Sequence, residues 1–258
     1  MKKLMILTAL LLTVSSINAQ DKEKKFSIKP MAGMNVSTLS GGLDDEYSAR
    51  TGFTGGVEAE YRATKCLGIS LGVAYSQQGA KFDYHTQMYM KQYVSDLPSD
   101  GWDIVLRNAN IKGHRKTDYL SIPLLACFHI PAVKGLTLKT GIQANILLKE
   151  KWHKDITSYA TEYLELEPGV AYEGPEPIIH QRESSDEFSK KTDIGIPLGI
   201  SYEWKNIVAE ARYYFGLTKV TNSSFRQWSQ EKLSSEYKNP CDERNRVFSI
   251  TLGYRFDL

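Results

Sequence analysis

Strict alternation of apolar and polar residues, repeated in eight stretches, is what most limits the fold open to this chain. In a strand, successive side chains point to opposite faces, so period-two alternation gives one apolar face and one polar face. The clearest case is the last thirteen residues, 246–258. Phe248, Ile250, Leu252, Tyr254, Phe256 and Leu258 alternate there with Val247, Ser249, Thr251, Gly253, Arg255 and Asp257. An apolar face of that length needs cover, so the strand is expected to lock into a larger sheet.

Seven more segments share the pattern: Phe26–Val36, Gly52–Arg62, Leu67–Gln77, Asp118–Ile130, Leu136–Leu148, Asp193–Glu203 and Ile207–Leu217. The links between them alternate in length. Residues 63–66, 131–134 and 204–206 are short links, whereas 38–49, 79–117, 149–192 and 218–245 are long. An even number of antiparallel strands with short turns on one side and long loops on the other is the rhythm of a transmembrane β-barrel. The expected fold is therefore all-β: an eight-stranded antiparallel up-and-down transmembrane β-barrel, with short periplasmic turns and long extracellular loops.

Alternation alone does not say which face is inside. A soluble barrel buries its apolar face, while a membrane barrel turns that face to lipid. The polar face here is rich in small residues such as Gly68, Ser70, Gly72, Ala74 and Ser76, which suit a narrow interior. Its charges gather near the short-turn end and nearly balance: Lys29, Arg62, Lys139, Arg212 and Arg255 against Glu58, Glu60, Glu203 and Glu210. Buried charge is costly unless paired, so these nine residues are expected to form a structural lumen network, with Arg255 meeting Glu203 and Glu210. Aromatic residues cluster at both ends of the apolar face, as in the girdles at two membrane interfaces.

Residues 1–19 are expected to be a signal peptide, cut between Ala19 and Gln20, leaving 20–258 as the barrel domain. Lys2 and Lys3 precede an apolar run, Leu4–Val14, that is too short to span a bilayer, which takes about 20 apolar residues in a helix. A β-strand crosses with about 9–11 residues, half of which face inward, so the lack of another long apolar run leaves the barrel open. The net charge of +2 gives no pull towards nucleic acid.

Some features depart from an ideal barrel. Pro123 and Pro197 lie within strand segments and lack the N–H that a ladder bond needs. Each is expected inside the lumen, at a bulge or local break. Cys66 lies in a short turn and Cys127 on the polar face of a neighbouring strand, so a bond between them is left open, while Cys241 falls in a long loop. Ile156, Tyr159, Ala160, Tyr163 and Leu164 recur at helical spacing after Asp155, which suggests a short capped helix. Trp102, Ile104 and Leu106 alternate with Asp103, Val105 and Arg107 and suggest a hairpin extending the barrel. The acidic third long loop, which includes Glu150, reads as solvated, and Phe225 and Trp228 lie in the fourth.

The segment Tyr119-Leu-Ser-Ile-Pro-Leu-Leu125 resembles a strand of the PorT-like outer-membrane β-barrel proteins, and Met31–Asn35 and Gly52–Gly56 are similar to that family's opening. Thr251, Gly253, Phe256 and Leu258 resemble the C-terminal signal read during insertion into the outer membrane. The resemblance covers the mature chain and implies an eight-stranded barrel in the outer membrane of a Gram-negative bacterium, with no single activity. Its implied partners are outer-membrane lipid, the barrel-insertion machinery and an unknown surface ligand or envelope protein; some members serve in protein secretion.

No catalytic motif stands out. His85, His114, His153 and His180 fall in the long links, and His129 lies near the inner end of its strand. Zinc-ligand spacings are absent. The expectation is a non-enzymatic barrel with no cofactor and no metal, its loops serving binding, adhesion or envelope assembly. The alternative is an accessory component of protein secretion across the outer membrane.

Overall fold

The computed structural model describes residues 25–41, 47–93, 102–163, 179–185, 189–221 and 243–258. Its strands are β1 (Phe26–Ser40), β2 (Tyr47–Arg62), β3 (Leu67–Tyr93), β4 (Trp102–His129), β5 (Leu136–Tyr163), β6 (Ile179–Ser185), β7 (Thr192–Trp204), β8 (Ile207–Gly216), β9 (Arg244–Tyr254) and β10 (Phe256–Asp257). Eight of them close a ring in the order β1-β2-β3-β4-β5-β7-β8-β9, sealed by β1 against β9. All pairings are antiparallel; each ring strand meets the next ring strand in sequence, β6 pairs with β5 off the ring, and closure leaves the ring without an edge.

β10 continues β9. Met31 faces Gly253 and Ile28 faces Phe256 in one register, and the ladder lapses between them. Pro30 lies at the gap with no N–H to offer. The same cause acts at the other prolines, where the expected bulge or local break takes the form of a break. Pro123 keeps its pairing with β5 and Pro197 with β8, while the ladder lapses on the opposite side of each without a register shift. Both prolines are buried in the barrel interior.

The bulges fall elsewhere. On β2–β3 the register shifts between Ala49 and Thr54. Side chains there take up carbonyls of β3: Asn35 donates to Gln77 O at 3.1 Å, Arg50 to Gln78 O at 3.0 Å and Ser37 to Gly79 O at 2.8 Å. Gly79 has φ +129°, and a Cβ on it would stand 2.0 Å from Arg115 O, so only glycine fits. On β4–β5, Asp118 faces Lys149 and Tyr119 faces Leu147, which leaves Leu148 extra and switches the parity of β5.

The long links hold more strand than expected. β3, β4 and β5 run for 27, 28 and 28 residues, far more than a membrane crossing takes. Tyr93 pairs with Trp102, so the segment around Trp102–Arg107 forms the expected hairpin. The expected helix after Asp155 is instead part of β5, with Ile156 facing Ile111 and Tyr159 facing Asn108. Non-local backbone pairing outweighs the helical spacing there; Leu164 lies outside the described residues. So do Ala19, Gln20, Cys241, Phe225 and Trp228.

The short turns follow local chemistry. Lys205 and Asn206 have φ of 48° and 67°, the two positive values that a two-residue hairpin turn with matching twist requires. Asn206 donates to Arg255 O at 3.1 Å, tying this turn to the last strand.

Candidate functional site

The ring is inverted relative to a water-soluble barrel. Leu252 is 62% exposed, Ile142 60% and Met34 61%, whereas Glu58 is 2% exposed, Glu210 3% and Lys139 5%. Apolar side chains form the outer face and charged ones line the interior. Carboxylates and ammonium groups tolerate that burial only when paired.

Near the short-turn end of the lumen, two carboxylates hold three cations. Lys29 Nζ lies 2.7 Å from Glu210 and 3.2 Å from Glu58. Lys139 Nζ bridges the same two carboxylates, and Arg212 donates to Glu58 at 2.8 Å and also to Glu210. The five residues come from β1, β2, β5 and β8; Lys29 and Glu58 are ladder partners, while Lys29–Glu210, Lys139–Glu58, Lys139–Glu210 and Arg212–Glu58 join strands that do not pair.

A second cluster lies nearer the turns. Arg255 bonds Asp257 at 2.8 Å and Glu203 at 3.1 Å, and reaches Glu60 at 4.0 Å. Glu210 therefore meets Lys29, Lys139 and Arg212, and the expected pairing with Arg255 does not occur. Arg62 joins neither cluster; its Nε is buried with no hydrogen-bond partner. Glu60 also accepts from His129 at 2.7 Å, and Thr137 Oγ1 lies 3.0 Å from the other ring nitrogen. This hydroxyl–imidazole–carboxylate chain has the composition of a hydrolytic triad. Thr137 is only 7% exposed, however, and the adjoining cavity of 20 Å³ has no room for an acyl or peptide substrate.

Two further clusters have no counterpart in the expected network. Asp193, 1% exposed, accepts from Thr218 at 2.7 Å, Tyr214 and Asn245 at 2.9 Å, and Asn145 at 3.3 Å. Beyond it, Arg115 donates to Glu150 at 2.8 Å, to Glu243 at 2.9 Å and to Ser189; Tyr47 and Thr221 also donate to Glu243. This cluster joins β2, β4 and β5 to the segments around Ser189 and Thr221. Glu150, expected in a solvated loop, is 4% exposed. For Arg115 the signal was present: it continues the inward parity of Tyr119, Ser121 and Cys127. For Glu150 it was not, because the Leu148 bulge reverses the parity.

Between the Asp193 cluster and the five-residue cluster lies a cavity of 40 Å³, lined by Ser76, Gln78, Ser121, Arg212 and Tyr214 among others. About 10–15 Å³ on this measure admits one water, so the cavity has room for a few waters.

Cys66 and Cys127 are free thiols. Gly68 rather than Cys66 faces Cys127 in the register, and the Cys127 Sγ lies 3.5 Å from Ser70 Oγ. Cys66 is exposed and Cys127 fully buried, so a maleimide is expected to label the folded protein at Cys66 and to reach Cys127 only after unfolding. Mass spectrometry of labelled peptides checks this; labelling of Cys127 in the folded barrel would contradict the packing.

The profile of the outer membrane protein beta-barrel domain family matches residues 18–222. The chain belongs to this family. It is thus a member of an outer-membrane barrel family, in accord with the closed ring and its lipid-suited exterior. No curated protein matches. Among solved structures, the chain is similar to Ail, the attachment invasion locus protein of Yersinia pestis, at 14% identity and a TM-score of 0.38, covering 90% of this chain and 99% of that one. It is also similar to the outer membrane protein OprG from Pseudomonas aeruginosa (12% identity, TM-score 0.34, 93% and 100% coverage). A third is the outer membrane protease OmpT from Escherichia coli (9% identity, TM-score 0.30, 95% and 100% coverage).

Proposed function

We propose that this family member is a non-enzymatic scaffold of the outer membrane. Its lumen is closed by side chains, and its long strands and loops present a surface for binding, adhesion or envelope assembly. The observation that carries the reading is the cluster of Lys29, Glu58, Lys139, Glu210 and Arg212, in which Lys139 and Arg212 reach Glu58 across the lumen. In this reading the short turns face the periplasm, residues 1–19 direct export, and the insertion machinery reads Thr251, Gly253, Phe256 and Leu258. Outer-membrane lipid covers the apolar band, and the surface partner is a ligand or another envelope protein.

The finer, PorT-like assignment rests on Tyr119–Leu125, where Tyr119, Pro123 and Leu125 are buried in the interior. That resemblance supports the second reading, an accessory role in protein secretion. Co-purification with secretion components would favour it over the scaffold.

The closed lumen is tested by reconstitution. The folded protein is expected to show heat-modifiable migration on gels and to give no steady conductance in planar bilayers. A persistent ohmic conductance from the wild-type protein would refute the closed lumen.

A further inference from the structure

Past the apolar band, the outer faces of β3, β4 and β5 carry basic side chains in register. Lys116 stands opposite Lys151, and Lys149 stands opposite Asp118. One row further out, His114 faces His153 on one side and Lys81 on the other. Lys81, Lys149 and Lys151 are exposed and Lys116 is half-buried; among the described residues, no salt bridge engages any of the four. Like charges placed directly opposite on a sheet destabilise it, so the Lys116–Lys151 pair is a cost that no salt bridge among the described residues offsets. Partial burial, followed by the charges of His153, Arg50 and Lys116, holds the His114 pKa below its ordinary value against the opposing pull of Asp155.

The Leu148 bulge creates this arrangement. Before it, the odd residues of β5 such as Gln143 and Asn145 point inward; after it, Glu150 points in and Lys149 and Lys151 point out. The apolar row directly beneath is Tyr75, Leu120 and Ile146, joined by cross-strand pairing, with exposed Leu148 beside it. A free anion would use only the cations. A lipid would use both rows, its acyl chains on the apolar band and its headgroup at the level of the lysines.

We propose that Lys81, Lys116, Lys149 and Lys151 bind the phosphate groups of an outer-leaflet lipid whose acyl chains lie on Tyr75, Leu120, Ile146 and Leu148. The site goes beyond a general scaffold, since it selects lipids by headgroup charge on one sector of the barrel.

The test uses the full chain in phosphatidylcholine nanodiscs doped with diphosphoryl lipid A, with retained lipid read by native mass spectrometry. The wild type is expected to retain diphosphoryl lipid A over phosphatidylcholine. Lys116→Gln/Lys149→Gln/Lys151→Gln is expected to lower that retention about a hundredfold, from about 1 kcal/mol per cation at a charged membrane surface. A Lys65→Gln/Lys134→Gln control, in the short turns, keeps it, as does the triple Lys→Arg variant. Heat-modifiable migration verifies folding; should the triple variant fail there, Lys151→Glu alone carries the comparison. Equal retention of both lipids by the wild type would overturn the proposal, as would undiminished retention by the triple variant. Displacement by millimolar inorganic phosphate would assign the lysines to a free anion and overturn it too.

Discussion

Replacing Glu210 with leucine is expected to cost the folded barrel about 3–5 kcal/mol, the penalty for breaking a buried ion pair and stranding its partners. Glu210 is 3% exposed and, among the described residues, is one of two carboxylates facing Lys29, Lys139 and Arg212. Without it, three cations share Glu58 alone, in an interior too narrow to hydrate them. The cavity beside Arg212 has a volume of 40 Å³, room for a little water but not for bulk solvation. Urea unfolding in lipid vesicles gives the measurement. The double variant Glu210→Leu/Lys139→Met removes one charge of each sign and is expected to recover much of the loss, because coupled residues do not act additively. A Glu210→Leu barrel as stable as the wild type would show that the pairs contribute nothing net. Conductance is the second readout: bilayer steps from Glu210→Leu alone would place the lumen seal at this layer.

Period-two alternation made the ring legible, since every ring strand carries an outward apolar face and an inward small or polar one. Short links were legible for the same reason, as breaks in that pattern. Strand ends were not. β3, β4 and β5 continue past the apolar band, where the outer face turns polar with Lys81, Lys116 and Lys151 while the inner face turns apolar with Phe82, Ile111 and Ile156. Beyond the lipid the pattern reverses, so a segment judged by an apolar outer face stops too early. The interior charges of Lys29, Glu58, Lys139 and Glu210 could be assigned to one face from parity alone. Their partners could not: Arg62 and Arg255 share that parity, yet Arg62 pairs with none of them and Arg255 turns to Asp257 and Glu203. Which charges meet across a lumen depends on strand tilt and stagger, which one strand's sequence does not contain.

Replacing Leu252 with arginine tests the other half of the inversion. Leu252 lies in the apolar band between Ala32 of β1 and Ala209 of β8, and its side chain is 62% exposed. In water such exposure is a liability and an arginine there would be tolerated or even favourable. In lipid the same change puts a charge against acyl chains, at about 2–4 kcal/mol near the bilayer midplane and much less near the interfaces. The neighbouring residue Thr251, 8% exposed, faces the lumen and serves as the internal comparison: Thr251→Ser, which keeps a hydroxyl, is expected to change stability little. Folding into vesicles, followed by heat-modifiable migration and urea unfolding, separates the cases. A loss at Leu252 that grows with bilayer thickness identifies lipid as the solvent of this face, since a thicker bilayer leaves the arginine further from either interface. A Leu252→Arg protein that folds with wild-type stability would mean that water or another protein surface, not lipid, meets the barrel at this depth.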